Sequence, residues 1–279
     1  MIKQKILIIG PDAYLARDIE KYFHNIDITK MDRFSLEESK DFYSQFNGII
    51  NFTIQPQFFQ KELSEEELID VQIAKKITSS KTKLIMLSSR KVYGAHMDAD
   101  ILQENDAVQP QDFYARNKLK TEDLIRHFLP NQYLILRIAN ILGEPVNRLD
   151  YKTFMGWISK SIISQGKLIV TENPHTKKDF ITKEYLQKAL FALIFYNKIG
   201  TYNIGAQFAL PLKELLTKIV GKENISFDNA TPPRDQFILD SSKLHEVLPP
   251  FSKKELNKKC SENRKKIQQM ILMKGHVNG

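Results

Sequence analysis

The chain has a single cysteine, Cys260. It can form no internal disulfide, which fits a reducing cytoplasm. A lone cysteine in a lysine-rich segment is read as incidental, not as a nucleophile. No apolar run approaches the ~18 residues that a transmembrane helix requires, so no membrane span is expected. The opening MIKQKILIIG has too short an apolar part for a signal peptide and no small-residue cleavage site. It reads as a first buried strand. Internal repeats and low-complexity linkers are absent, and so is any basic stripe interleaved with aromatics. No nucleic-acid-binding module is recognisable, so nucleic acid is not an expected partner. The net charge is nevertheless +8, with a pI near 9.3. Much of the excess lies at Lys253, Lys254, Lys258, Lys259, Arg264, Lys265 and Lys266. Glu255 and Glu262 interrupt it, which suits a solvated helix face. With 279 residues, 42% hydrophobic and 27% charged, the chain can bury a sizeable core in one large or two closely packed domains.

Hydrophobic patterning gives the organisation. Lys5–Ile9 is a continuous apolar run of the kind buried on both sheet faces. Gly10-Pro11-Asp12 turns the chain, and 13–23 reads as a helix. Strands are expected at 26–31, 48–53, 83–88 and 133–137. Helices are expected from Ser35, an N-cap with Glu38 three residues on, to about Phe46, and over 65–79 and 113–128. Such alternation predicts an α/β protein with a doubly wound parallel sheet. After Gly143 the pattern loosens. Helices are expected at 154–164, 182–196, 212–220 and 241–248, and strands at 168–170 and 200–205. Residues 1–145, rejoined by 176–206, are expected to form the core. Residues 146–175 and 207–279 are expected to form a smaller C-terminal substrate lobe. Parallel sheets take ligands at the carboxyl ends of their strands. Gly10, Asn51, Ser88, Ser89 and Asn140 all fall there.

Tyr114 and Lys118 lie four apart, on one face of the 113–128 helix. A free phenol titrates near ~10. A lysine ammonium alongside lowers that value and lets the phenol exchange a proton with a substrate hydroxyl or carbonyl. Ser89, 25 residues upstream of Tyr114, is placed to hold the same oxygen. A Tyr-x-x-x-Lys pair alone is weak evidence, because such pairs usually make a solvated helix face; order and spacing along the rest of the chain decide.

Six segments supply that order. Leu87-Ser88-Ser89-Arg90-Lys91-Val92-Tyr93-Gly94 is followed by Tyr114 to Glu122, and then by Leu136-Arg137-Ile138-Ala139-Asn140-Ile141-Leu142-Gly143. After them come Lys178-Asp179-Phe180-Ile181, Tyr202-Asn203-Ile204-Gly205 and Asp240-Ser241-Ser242-Lys243-Leu244. In this order the chain resembles the extended short-chain dehydrogenase/reductases, a family of NAD(P)-dependent epimerases, dehydratases and reductases acting on nucleotide sugars. The resemblance implies a Rossmann-like core, NAD or NADP as cofactor, and Ser89, Tyr114 and Lys118 as catalytic residues. It places Gly10, Asp12, Ala13, Tyr14, Leu15, Asp32, Arg33, Asn51 and Thr53 at the cofactor, with Tyr114 and Lys118. It places Arg90, Asn140, Lys178 and Arg234 at the substrate, with Lys177 and Lys243 as further cations for its diphosphate. No metal is implied. A homodimer through the 65–79 and 113–128 helices is implied by analogy only.

The departures matter. The family's phosphate loop, GxxGxxG, is here Gly10-Pro-Asp-Ala13-Tyr-Leu-Ala16. The second glycine normally admits the pyrophosphate, and the third lets helix and strand pack closely. Ala13 adds a methyl group where the diphosphate should lie, and Asp12 repels phosphate. Asp32 suits the adenosine ribose and Arg33 a 2′-phosphate; equally, Asp32 suits the next strand, beside the adenine. The choice of NAD or NADP stays open. Where dehydratases of the family carry paired acids, this chain has Arg90 and Lys91, which argues against dehydration. The expected activity is reduction, or epimerisation, of a nucleotide-linked keto-sugar. The alternative is a non-catalytic nucleotide-binding or sensor protein with a degraded phosphate loop.

Overall fold

The computed structural model describes residues 3–32, 39–98, 100–145, 153–227 and 232–277. The first half runs β1 (Gln4–Ile9), β2 (Ile26–Met31), α1 (Lys40–Ser44), β3 (Gly48–Asn51), α2 (Ile69–Ile77), β4 (Lys83–Ser89), β5 (Asp100–Leu102), α3 (Phe113–Phe128), β6 (Tyr133–Ile138) and β7 (Asn140–Leu142). The second half continues with α4 (Phe154–Gln165), β8 (Leu168–Val170), β9 (Lys177–Thr182), α5 (Lys183–Phe195), β10 (Gly200–Ile204), β11 (Ala209–Pro211), α6 (Leu212–Val220), β12 (Ile225–Phe227), β13 (Phe237–Leu239) and α7 (Lys253–Val277).

Six strands form one parallel sheet in the order β10-β6-β4-β3-β1-β2. Alternate residues of each strand face opposite sides. Ile6, Ile8, Ile50, Ile85, Leu134 and Leu136 pack on the side of α5, against Leu186, Leu190 and Leu193. Leu7, Ile9, Ile49, Leu84, Met86 and Ile135 pack on the side of Tyr43, Ile73, Ile77 and Ile125, from α1, α2 and α3. Each such fully buried side chain contributes ~1.5–3 kcal/mol of transfer free energy. Both faces of the inner strands are therefore covered, which is why β1, β3, β4 and β6 carry apolar runs, whereas the edge strand β2 alternates and is largely exposed. Smaller sheets follow, in the order β11-β9-β7, with the pairs β12-β8 and β13-β5. Local signals set the helix starts. Asp112 caps α3 by accepting from Ala115 N at 2.8 Å, and Thr182 caps α5 by accepting from Tyr185 N at 3.2 Å.

Two expectations fail in the first half. The helix expected to start at Ser35 begins at Lys40, capped by Ser39, and Ser35 itself lies outside the described residues. The helix expected over 13–23 is a set of turns ending in a short 3-10 segment, Ile19–Lys21. It holds no glycine or proline that would break a helix, so the cause is tertiary. The Gln187 side-chain amide donates to the carbonyls of Leu15 and Arg17, at 3.0 and 2.9 Å. Lys183 Nζ donates to Arg17 O at 3.2 Å. In a helix those carbonyls would accept from the amides of Ile19 and Lys21. These amides turn instead to Ala16 O and Asp18 O, and Asp18 takes the left-handed conformation, at φ 64.

Candidate active site

β1 pairs with β2 on one side and with β3 on the other, so strand order reverses beside it. A crevice at the carboxyl ends of the strands is the consequence. Register brings those ends level: Ile9 faces both Met31 and Asn51, Asn51 faces Met86, and Ser89 faces Ile138. A cavity of ≈ 210 Å³ opens there. Leu15, Ile138, Ala139 and Ile141 give it apolar walls, while Asn51, Thr53, Ser89, Tyr114 and Lys118 bring the polar groups.

Tyr114 enters from the first turn of α3, its ring parallel to that of Phe59 with centroids 5.0 Å apart. The residue is partly buried, and it lines the cavity together with Ser89. Burial pushes the phenol above its ordinary value of 10.0. The neighbouring Ser89 hydroxyl and the Arg90 charge pull it down, and the Asp112 charge pushes it up. The adjacent ammonium therefore does not lower the pKa of Tyr114 in this geometry. The physical reason is orientation: Lys118 Nζ donates to Leu87 O at 2.7 Å and lies 5.9 Å from the centre of the Tyr114 ring. Burial pulls Lys118 below its usual value, against the charges of Asp70 and Glu122.

Those two acids carried no role in the sequence reading. Asp70 is 6% exposed on α2 and accepts from Asn51 Nδ2 at 3.2 Å. Asn51 Oδ1 in turn accepts from Thr53 N and Thr53 Oγ1, at 2.9 and 2.6 Å. Burial pushes the Asp70 carboxyl up, and Lys118 and Asn51 oppose it. Its sequence signal was an acid on a helix face otherwise made of Ile73, Ala74 and Ile77. Glu122, one turn after Lys118, is fully buried and accepts from Ser88 Oγ, Arg126 and Arg137.

The phosphate loop is the least conventional part. Gly10 holds φ +73, and a β-carbon there would lie 2.5 Å from Thr53 Cγ2, so glycine is required by its neighbour. Tyr14 reaches across to the second half of the chain. Its hydroxyl accepts from Glu144 N at 3.1 Å, and Lys183 Nζ lies 5.2 Å from its ring centre. Ala13 packs against the core, and Asp12 lines a separate depression with Arg17 and Lys30. Asp32 is exposed just beyond β2, and Arg33 lies outside the described residues. Leu15, Asn51 and Thr53 are therefore the candidate cofactor residues that share the cavity with Tyr114 and Lys118. The residues fit the nicotinamide-ribose end of a dinucleotide, an apolar wall facing a lysine and a phenol. The pyrophosphate end has Gly10 but no helix N-terminus behind it.

The candidate substrate residues lie outside this cavity. Arg90 and Lys178 both bond Asp235, Asn140 Nδ2 donates to Asp179 O at 3.0 Å, and Arg234 is exposed. Among the described residues no group of acids, histidines and cysteines could hold a metal ion.

The motif-based resemblance is borne out by comparison with known proteins. The model of the family described as RmlD substrate binding domain matches residues 4–172, more than half of the chain. No curated protein matches it by sequence. Among solved structures, a UDP-N-acetylglucosamine 4-epimerase from Methanobrevibacter ruminantium, in complex with UDP-N-acetylmuramic acid, superposes with a TM-score of 0.80 at 15% identity, over 96% of this chain and 100% of that one. A dTDP-glucose 4,6-dehydratase from Bacillus anthracis, in complex with NAD, gives 0.74 at 13%, over 96% and 98%. A dTDP-4-dehydrorhamnose reductase from Clostridium acetobutylicum gives 0.72 at 17%, over 95% and 100%. These similarities establish the doubly wound fold. The family match goes further: this chain belongs to the RmlD substrate binding domain family.

Proposed function

We propose that the chain is an NAD(P)-dependent reductase of a nucleotide-linked keto-sugar. The observation that carries this reading is the Tyr114 phenol in a cavity that it shares with Ser89 and Lys118, at the switch point of the sheet. A reduced nicotinamide, when bound, supplies the hydride. Ser89 donates a hydrogen bond to the substrate carbonyl oxygen, and Tyr114 delivers a proton to that oxygen. A phenol whose pKa is pushed up keeps its proton at neutral pH, which suits an acid and hence reduction. Lys118 is placed to hold the ribose. Arg90 and Lys91, bonded to Asp235 and Asp112, offer no acid for dehydration. Fluorescence titration with NADH and NADPH is the first test. Saturable binding of either supports the reading; binding of neither at millimolar concentration sinks it.

The broken helix after Gly10 favours a second reading, a non-catalytic nucleotide-binding protein. Steady-state assay with the keto-sugar separates the two. Among the described residues no helix is long and apolar enough to cross a membrane. A cytoplasmic location and a homodimer through α2 and α3 belong to the proposal, the dimer being checked by light scattering.

Two variants probe the cofactor end. Ala13→Gly removes the methyl group from the expected phosphate position, and NADH is expected to bind equally or more tightly in a fluorescence titration. A large loss would mean that the pyrophosphate lies elsewhere. Asp70→Asn removes a negative charge that helps to keep Lys118 protonated against burial. The pKa of Lys118 therefore falls further, and the alkaline limit of NADH binding moves to lower pH. An unmoved limit in a pH series would leave Glu122 as the group that holds the ammonium.

A further inference from the structure

Four charged groups, Arg90, Glu172, Lys178 and Asp235, meet in a cluster that begins at the residue after Ser89. Arg90, the following residue, is buried, with its guanidinium carbon 4.3 Å from the Phe237 ring centre. Its Nη2 donates to Asp235 Oδ2 at 2.6 Å, and its Nη1 donates to Oδ1. Lys178 Nζ, on β9, reaches the same Oδ2 at 3.3 Å and Glu172 Oε1 at 2.7 Å. The two cationic side chains are 8% and 12% exposed, and that of Asp235 is 29% exposed. Asp235 holds φ 56, a left-handed conformation that aspartate tolerates better than most residues but still at some cost. A rigid cationic fork is thus closed by a carboxylate from a more exposed, conformationally strained loop residue.

We propose that Arg90 and Lys178 form the recognition site for a carboxylate on the sugar of the substrate, and that Asp235 fills this site from within the chain until substrate displaces it. The inference rests on the nucleotide-sugar reading given above. Chain position puts the site on the sugar side, because Arg90 directly follows Ser89, which lines the cavity with Tyr114. The planar, two-pronged donor geometry matches a carboxylate. Charge fits too. With Asp235 displaced, Glu172 still offsets one of the two cations, and the remaining single positive charge suits a monoanion better than a diphosphate. A neutral sugar group cannot replace Asp235, because it would leave a buried guanidinium without its anion. The site therefore discriminates by exchange of one carboxylate for another.

Isothermal titration of the full chain tests this with glucuronic acid and glucose, each as its UDP and its dTDP conjugate, and with UDP and dTDP alone. The glucuronic acid conjugate is expected to bind about tenfold more tightly than its glucose counterpart, in keeping with a bidentate charge-assisted contact. Asp235→Asn is expected to tighten glucuronide binding by about fivefold more, as the internal competitor weakens, and to leave glucose binding unchanged. Arg90→Gln is expected to erase the preference. Equal binding of the two sugars, or an Asp235→Asn variant that weakens both alike, would overturn the inference and mark Asp235 as a loop anchor only. Nucleotide diphosphates binding as tightly as the glucuronides would also overturn it, by assigning the cations to phosphate. Failure of every conjugate and of both nucleotides would instead sink the nucleotide-sugar reading, and this inference with it.

Discussion

Replacing Tyr114 with phenylalanine is expected to lower kcat by about 10²–10⁴-fold, the usual contribution of a positioned general acid. Its effect should be confined to turnover. The ring keeps its parallel contact with Phe59, at 2° between planes, and α3 keeps its cap at Asp112. Only the hydroxyl is lost, a change of about 1 kcal/mol in stability. The Kd for NADH, measured by fluorescence, should therefore stay within about twofold, and the melting temperature within a few degrees. Direction of reaction gives a sharper check. Because burial pushes the phenol up, the wild-type reduction rate should be flat through neutral pH and decline only in alkaline solution. The reverse oxidation needs the phenolate and should rise with pH over the same range. A Tyr114→Phe variant that turns over normally, or a reduction rate that climbs with pH, would remove Tyr114 from the mechanism.

How far the sequence discloses this site depends on whether the deciding contact is local. The strands β1, β3, β4 and β6 were legible because both of their faces are buried, along the apolar runs 6–9, 49–50, 84–87 and 134–136. α3 was legible to the residue, since its cap and its apolar spacing lie within its own segment. The stretch after Gly10 was not. Ala13 to Phe23 contains no glycine or proline to break a helix, and the groups that unwind it, Lys183 and Gln187, come from α5. The same distance effect hid the ion pair that Arg90 makes. Its charge was visible, but its partner Asp235 lies 145 residues away. The orientation of Lys118 shows a third kind of failure. Spacing placed the ammonium near the phenol, but only the fold shows that it turns toward Leu87 O and two buried acids. Asp70 is different again, since a lone acid on an apolar helix face is a signal that local reading had within reach.

The largest expected change in stability comes from Glu122→Ala. This carboxylate is fully buried, and Arg137, 3% exposed, donates to it from Nε at 3.2 Å and from Nη2 at 2.8 Å. Arg126 Nη2 adds a bond at 2.7 Å and Ser88 Oγ one at 2.5 Å. Arg137 has other contacts, a bond to Glu104 O at 3.1 Å and the Tyr93 ring 4.8 Å away, but neither supplies a negative charge. Truncating Glu122 leaves a buried guanidinium without its anion, a change that typically costs ~3–5 kcal/mol and lowers Tm by about 10 °C in a chain of this size. Glu122→Gln should cost less, because the amide oxygen still accepts one bond. Pairing Glu122→Ala with Arg137→Met should recover much of the loss, since the destabilisation resides in the orphaned charge more than in the missing contact. Urea unfolding of the four proteins measures these differences directly. The network also reaches the reaction site: Ser88 precedes Ser89, and Glu122 is one of the two acids that support the charge on Lys118. Turnover should therefore stay depressed in the doubly substituted protein even where stability returns. A single variant that unfolds within about 1 kcal/mol of wild type would show that water or a rearranged partner neutralises Arg137, and that Glu122 is not the keystone between β4, α3 and β6.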